Sequence, residues 1–212
     1  MHARHLPGAS SLALGLLVAA ASPALAQGPT PVAADELAEI RAATEKYRDV
    51  EVALADGYIA DPTGMCVTPD MEGEPVELGG MGIHYFRPDL LGITAPEPRV
   101  AGVGTHTDFL QPGILVYEPQ ADGSLELVAV ENLVFVEGWK AAGHEAPPEF
   151  RGTPYIHRVD DPATEVDEAH GFEPHYELHM WLYRDNPAGL LAQYNTDVTC
   201  EHAVKADDHA GH

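Results

Sequence analysis

The stretch 125–136, LELVAVENLVFV, is the longest β-strand candidate in the chain and restricts the fold more than any other segment. Side chains alternate between the two faces of a strand. Leu127, Ala129, Glu131, Leu133 and Phe135 are thus expected on one face, and Val128, Val130, Asn132, Val134 and Val136 on the other. Both faces are apolar, so the strand is expected inside a sheet covered on both sides. Glu131 stands in the middle of it. A buried carboxylate needs a partner, or its ionised form is strongly disfavoured. A salt bridge to Arg87 or Arg184 would supply one. Service as a metal ligand or a general base would supply another.

The neighbouring segments extend this picture. Residues 114–118 (ILVYE) read as a strand, and the following PQADGS carries the Asp-Gly turn signal, which predicts a β-hairpin with 125–136. Residues 83–87 (IHYFR) and 175–184 (HYELHMWLYR) are further strand candidates. Residues 35–56 follow helical spacing, with Leu37, Ile40, Thr44, Tyr47, Glu51, Leu54 and Tyr58 at intervals of three and four. Asp35 can cap the start, and Gly57 can supply the left-handed residue past the end. Residues 59–82, 88–113 and 137–174 are punctuated by Gly and Pro and read as loops. The expected fold is α+β: one long N-terminal helix packed on an antiparallel sheet or open β-barrel, with long Gly/Pro-rich loops.

The first 26 residues have the three-part layout of a secretory signal peptide. The apolar run SLALGLLVAAA ends at Ala21, and Ala24-x-Ala26 supplies the cleavage pattern. That run is well short of the roughly 20 residues that span a bilayer as a helix. Residues 27–34 read as a flexible lead-in, 35–200 as a single domain, and 201–212 as a disordered His/Asp-rich tail. The expected product is exported, to the periplasm or the medium, without a membrane span. Thirty-four acidic against 11 basic residues give a net charge of −23. Such a chain is repelled by a polyphosphate backbone, so nucleic acid is not an expected partner.

Export changes how Cys66 and Cys200 read, since they are the only cysteines. An oxidising compartment favours a disulfide between them. Two soft metal ligands or redox thiols are the competing reading, although no C-x-x-C is present.

The segment His175-Tyr-Glu177-Leu-His179-Met-Trp181 is the main functional candidate. As a strand it places His175, Glu177, His179 and Trp181 on one face, and Tyr176, Leu178, Met180 and Leu182 on the other. Residues two apart are then about 6.6 Å apart along the strand, so Glu177 and either histidine could share an ion. As a helix it would put the two histidines side by side. Alternation, aromatic content and Pro174 favour the strand. His84, in the short strand 83–87, completes a possible cluster with Glu131 and His179, with His175 or Glu177 as a fourth ligand. Two nitrogens and one oxygen suit zinc, copper or iron. Side-chain nitrogens of His84 and His179 more than about 8 Å apart could not share one ion at ~2.1 Å bonds. His202, His209 and His212 in the tail could bind metal loosely.

No G-x-S-x-G elbow, H-E-x-x-H, Walker loop or dinucleotide fingerprint is present. The motifs ADGY (55–58), MGIHY (81–85), LVYEP (115–119), LVAVE (127–131), LHMWLYRDNPAG (178–189) and the closing Cys200 segment resemble a group of uncharacterised exported bacterial proteins. The resemblance covers most of residues 40–200 and implies export and a single domain. The His-centred segment also resembles the metal strands of cupins, which place two histidines two apart where this chain has them four apart.

Three functional readings follow. The first is an exported protein that binds a transition metal on a sheet face. The second is a metal-dependent hydrolase or oxygenase at the same site. The third is a small-molecule-binding or interaction module without metal, with Tyr85, Trp181 and Tyr183 lining an aromatic pocket.

Overall fold

A computed structural model describes residues 29–61 and 64–203. The predicted signal peptide and most of the predicted tail, including His209 and His212, lie outside the described residues.

A seven-stranded antiparallel sheet forms the centre. Its strands are β1 (Ile59–Ala60), β2 (Cys66–Val67), β3 (Gly82–Phe86), β4 (Ile114–Pro119), β5 (Leu125–Phe135), β6 (Ile156–Arg158) and β7 (His175–Met180). They run in the order β1-β3-β4-β5-β7-β6, with β2 also pairing to β3. The sheet does not close into a barrel. Its edges are only two or three residues long, which limits the exposed pairing surface. The hairpin β4–β5 and the strand at 175–180 agree with the sequence reading.

The long strand β5 is covered on both faces. One face carries Leu127, Val130 and Val134, together with Leu115, Tyr117, Leu178 and Met180, beneath the N-terminal helices. The other carries Val128, Ala129, Leu133 and Phe135 with Ile114, Val116, Phe172 and Trp181. Strict alternation does not hold along β5. A register shift opposite Val116 and Tyr117 places Val128 and Ala129 on the same side and moves Leu127 to the opposite one. One extra residue in one strand of a pair produces such a bulge. Because both faces are apolar, nothing in the hydrophobic pattern marks where it falls.

A single N-terminal helix is not what forms. Helix α1 (Ala34–Thr44) passes into a 3₁₀ turn at Glu45–Arg48, and a separate helix α2 spans Val50–Ala55. Asp49 is extended and caps α2, accepting the Glu51 backbone N–H at 3.0 Å. In a continuous helix that N–H would bond the Tyr47 carbonyl. Here the Tyr117 hydroxyl donates to that carbonyl instead, at 2.7 Å. The break also turns the buried stripe. Ile40, Thr44 and Tyr47 are buried as expected, but beyond it Ala53 is buried and Leu54 is exposed.

Cys66 on β2 and Cys200 form a disulfide with their Cα atoms 5.7 Å apart. Together with the bridge between Gly80 and Asn195, it fixes the segment around Val198 beside β3. No helix among the described residues is long and apolar enough to cross a membrane.

Candidate metal centre

The face of the sheet opposite the helices carries a buried polar cluster. Its position follows from register. On β7, His175, Glu177 and His179 point to one face, while Tyr176, Leu178 and Met180 pack into the helical-side core. His179 is paired directly with Glu131 on β5, Glu177 with Leu133 and His175 with Phe135. His84 on β3 is paired with Val116 on β4, and Val116 with Ala129 two residues before Glu131. Pleat and pairing thus bring His84, Glu131 and His179 from three strands to one spot.

One ligand atom from each of these three residues lies within 4.8 Å of the others. The His84 and His179 Nε2 atoms are each 3.2 Å from the same Glu131 oxygen, Oε2. Ligand atoms around a tetrahedral ion with ~2.1 Å bonds sit roughly 3.4 Å apart, so little closure is required. All three residues are at most 4 % exposed. Both ring nitrogens of both histidines, and Glu131 Oε2, lack a hydrogen-bond partner. Buried polar atoms are ordinarily satisfied, so five orphans at one point call for an explanation. Arg87 and Arg184, the arginines considered for Glu131, pair elsewhere: Arg87 with Asp89 at 2.7 Å, and Arg184 with Glu118 and Glu126 at 2.8 and 2.9 Å.

His175 and Glu177 do not join this triad. They form a second group with His170, again with ligand atoms within 4.8 Å of one another. His170 lies in the Gly/Pro-rich stretch 137–174, where no motif or spacing marks it. It sits at a φ of 39° before Gly171, in a loop held over the sheet by the bridge between Val100 and Phe172. Two more residues complete the surroundings and carry no sequence signal. Glu72 Oε1 lies 2.8 Å from His170 Nδ1, and its other oxygen accepts from Arg158, Tyr194 and Gln193. Arg158 on β6, opposite His175, also approaches Glu177 at 3.6 Å.

Two of the buried carboxylates, Glu72 and Glu177, share the Arg158 guanidinium, and Glu131 faces the two imidazoles. Burial pushes the His84 imidazole down, but Glu131, with Asp61 and Glu177, more than reverses this and raises its pKa. Burial dominates at His179 and lowers its pKa. Burial also lowers His170, to about 4. At Glu177 burial acts upward and is overcome by His175, so its pKa is lowered. The Glu131 carboxylate thus favours the protonated form of His84.

The three aromatic candidates do not gather. Trp181 is on the cluster's side, its ring stacked on His179 with centroids 5.9 Å apart and its indole N–H donating to the Ala192 carbonyl at 2.6 Å. Tyr85 and Tyr183 pack against the helical-side core, Tyr85 edge-on to Tyr117 and Tyr183 bonded to Thr44.

No family model, curated protein or solved structure matches this chain. Its functional reading rests on the chemistry of the cluster.

Proposed function

We propose that this is an exported protein that holds a transition metal, zinc, copper or iron, through His84, Glu131 and His179. The observation that carries the reading is the convergence of two imidazoles and one carboxylate, buried, with ring nitrogens that bond nothing else. A mixed nitrogen and oxygen set of this kind suits those metals over magnesium or calcium, which prefer oxygen alone. The signal-like leader and the disulfide support export into an oxidising compartment.

Three protein ligands leave room for a fourth at a tetrahedral ion, and that is the feature favouring a hydrolase or oxygenase as the second reading. A metal with an open position activates water or dioxygen. The chain's own contribution would then be to orient the ion through Glu131 and exclude bulk water with the Phe86, Phe172 and Trp181 side chains on the same face.

Metal analysis of the mature protein tests the reading, with His202, His209 and His212 replaced by Ser to silence the tail. At least one tightly held equivalent is expected after reconstitution with zinc, copper or iron and desalting. Less than about 0.1 equivalent of each overturns it.

A further inference from the structure

We infer that the cluster is a two-ion centre, with a second transition-metal position at His170, His175 and Glu177 beside the first. This inference rests on the metal-binding reading above. The two positions share a strand, since Glu177 and His179 are alternate residues of β7 on one face. They also share a ring contact, His84 stacked with His170 at 6.1 Å between centroids.

Geometry separates the two groups. Each has its ligand atoms within 4.8 Å of one another, and the six residues do not form a single group on that measure. Residues two apart on a strand are spaced by about 6.6 Å, so His175, Glu177 and His179 cannot all close on one ion at ~2.1 Å bonds. Each triad supplies two imidazoles and one carboxylate.

In the second triad one imidazole, His175, is held as metal ligands usually are. His175 Nδ1 sits 3.0 Å from the Glu173 carbonyl, so as an N–H donor it leaves Nε2 turned inward, 3.2 Å from Glu177 Oε2. His170 Nδ1 stands 2.8 Å from Glu72 Oε1 without hydrogen-bond geometry, and Arg158, Tyr194 and Gln193 hold Glu72 in place through its other oxygen. An imidazole that donates one N–H to a carboxylate or carbonyl presents its other lone pair to a metal, and such partners fix the ring's orientation. Glu177 Oε1 is buried without a hydrogen-bond partner, although Arg158 Nε stands 3.6 Å away. Its other oxygen, Oε2, is the one turned toward the His175 Nε2.

Zinc stoichiometry by native mass spectrometry tests the inference on the mature chain carrying the tail substitutions. The unaltered cluster is expected to hold two ions. His170→Asn with His175→Gln is expected to hold one, and Glu131→Gln is expected to hold one. Asn suits the positive φ at position 170. An intact near-UV circular dichroism spectrum and a cooperative unfolding transition in chelator establish that each variant folds. One ion in the unaltered cluster, unchanged in the first variant, overturns the second position and leaves the first standing. No ion at all overturns both. Loss of both ions from a folded His170→Asn, His175→Gln protein overturns the division in favour of one shared site. If a variant does not fold, the stoichiometry of the unaltered cluster decides alone. Loaded with two equivalents of Cu²⁺, the protein is expected to show spin–spin broadening in its electron paramagnetic resonance spectrum that each single-site variant lacks. A two-copper spectrum without broadening overturns the adjacency.

Discussion

Replacing both cysteines by serine isolates what the cross-link contributes. The disulfide joins residues 134 apart in sequence. In the chain-entropy description, closing a loop of that length in the unfolded chain stabilises the fold by about 5 kcal/mol. With a urea slope of about 2 kcal/mol per M, the unfolding midpoint of Cys66→Ser, Cys200→Ser should fall by roughly 2.5 M. The folded state itself should change little. Val198 is fully buried in the second core, Asn195 bonds Gly80 through both backbone groups, and neither contact involves sulfur. The assay is urea unfolding in chelator, followed by Trp fluorescence and far-UV circular dichroism, with near-UV spectra of the folded forms compared. A midpoint change under about 0.5 M refutes the entropic reasoning. A changed near-UV spectrum with the large midpoint shift would show instead that the closing segment needs the covalent bond in order to dock.

Acid should destabilise the metal-free protein through its buried neutral histidines. His170 titrates at about 4 when folded and at 6.5 when unfolded, so between these values the unfolded chain binds a proton that the fold excludes. Stability is therefore full above about pH 6.5 and falls as pH drops toward 4, by about 3 kcal/mol in total. His179 acts in the same sense, whereas the contribution of His84, whose pKa is raised, is present below its ordinary value and lost as pH rises through the folded one. Unfolding midpoints between pH 4 and 8 in chelator check this, and an equal acid slope in His170→Asn would refute it. Asn132→Leu should cost about 1–3 kcal/mol, because the buried Gly113 N–H that donates to Asn132 Oδ1 at 2.8 Å loses its acceptor. Thermal melts measure it, and a change under about 0.5 kcal/mol would count against that bond.

What could be read along the chain was what depends on period two. Polar residues at 175, 177 and 179 against apolar or aromatic ones at 176, 178 and 180 signal which face a residue occupies, and Glu131 stands out in the apolar middle of its strand. The hairpin register sets Ile114 opposite Glu131 and says nothing of His179, whose strand is reached only through residues 136–174. What could not be read depends on contacts distant in sequence or on backbone detail. The helix break at Asp49 turns on a Tyr117 hydroxyl 70 residues from the Tyr47 carbonyl it reaches. His170 joins the cluster only because its loop pairs with Val100, a connection that spacing cannot reveal. Glu72 and Arg158 look like ordinary loop and edge charges until the fold places them 86 residues apart in one ion pair. The bulge at Val128 left no mark because either neighbour could face either core.

The concealment of the cluster has a kinetic consequence. Its six candidate ligands are all at most 5 % exposed, with a covered sheet beneath and the loop around Phe172 above. An ion seated there would leave no faster than that covering opens. Local openings of this kind have their own free energies, set by the contacts that must be broken. Residence time would then be governed by how firmly Phe172 and Trp181 hold the covering down, as much as by the ligands. Two proteins with the same six ligands and the same equilibrium affinity could exchange metal on very different timescales, and in this chain the hydrophobic lining would set the clock.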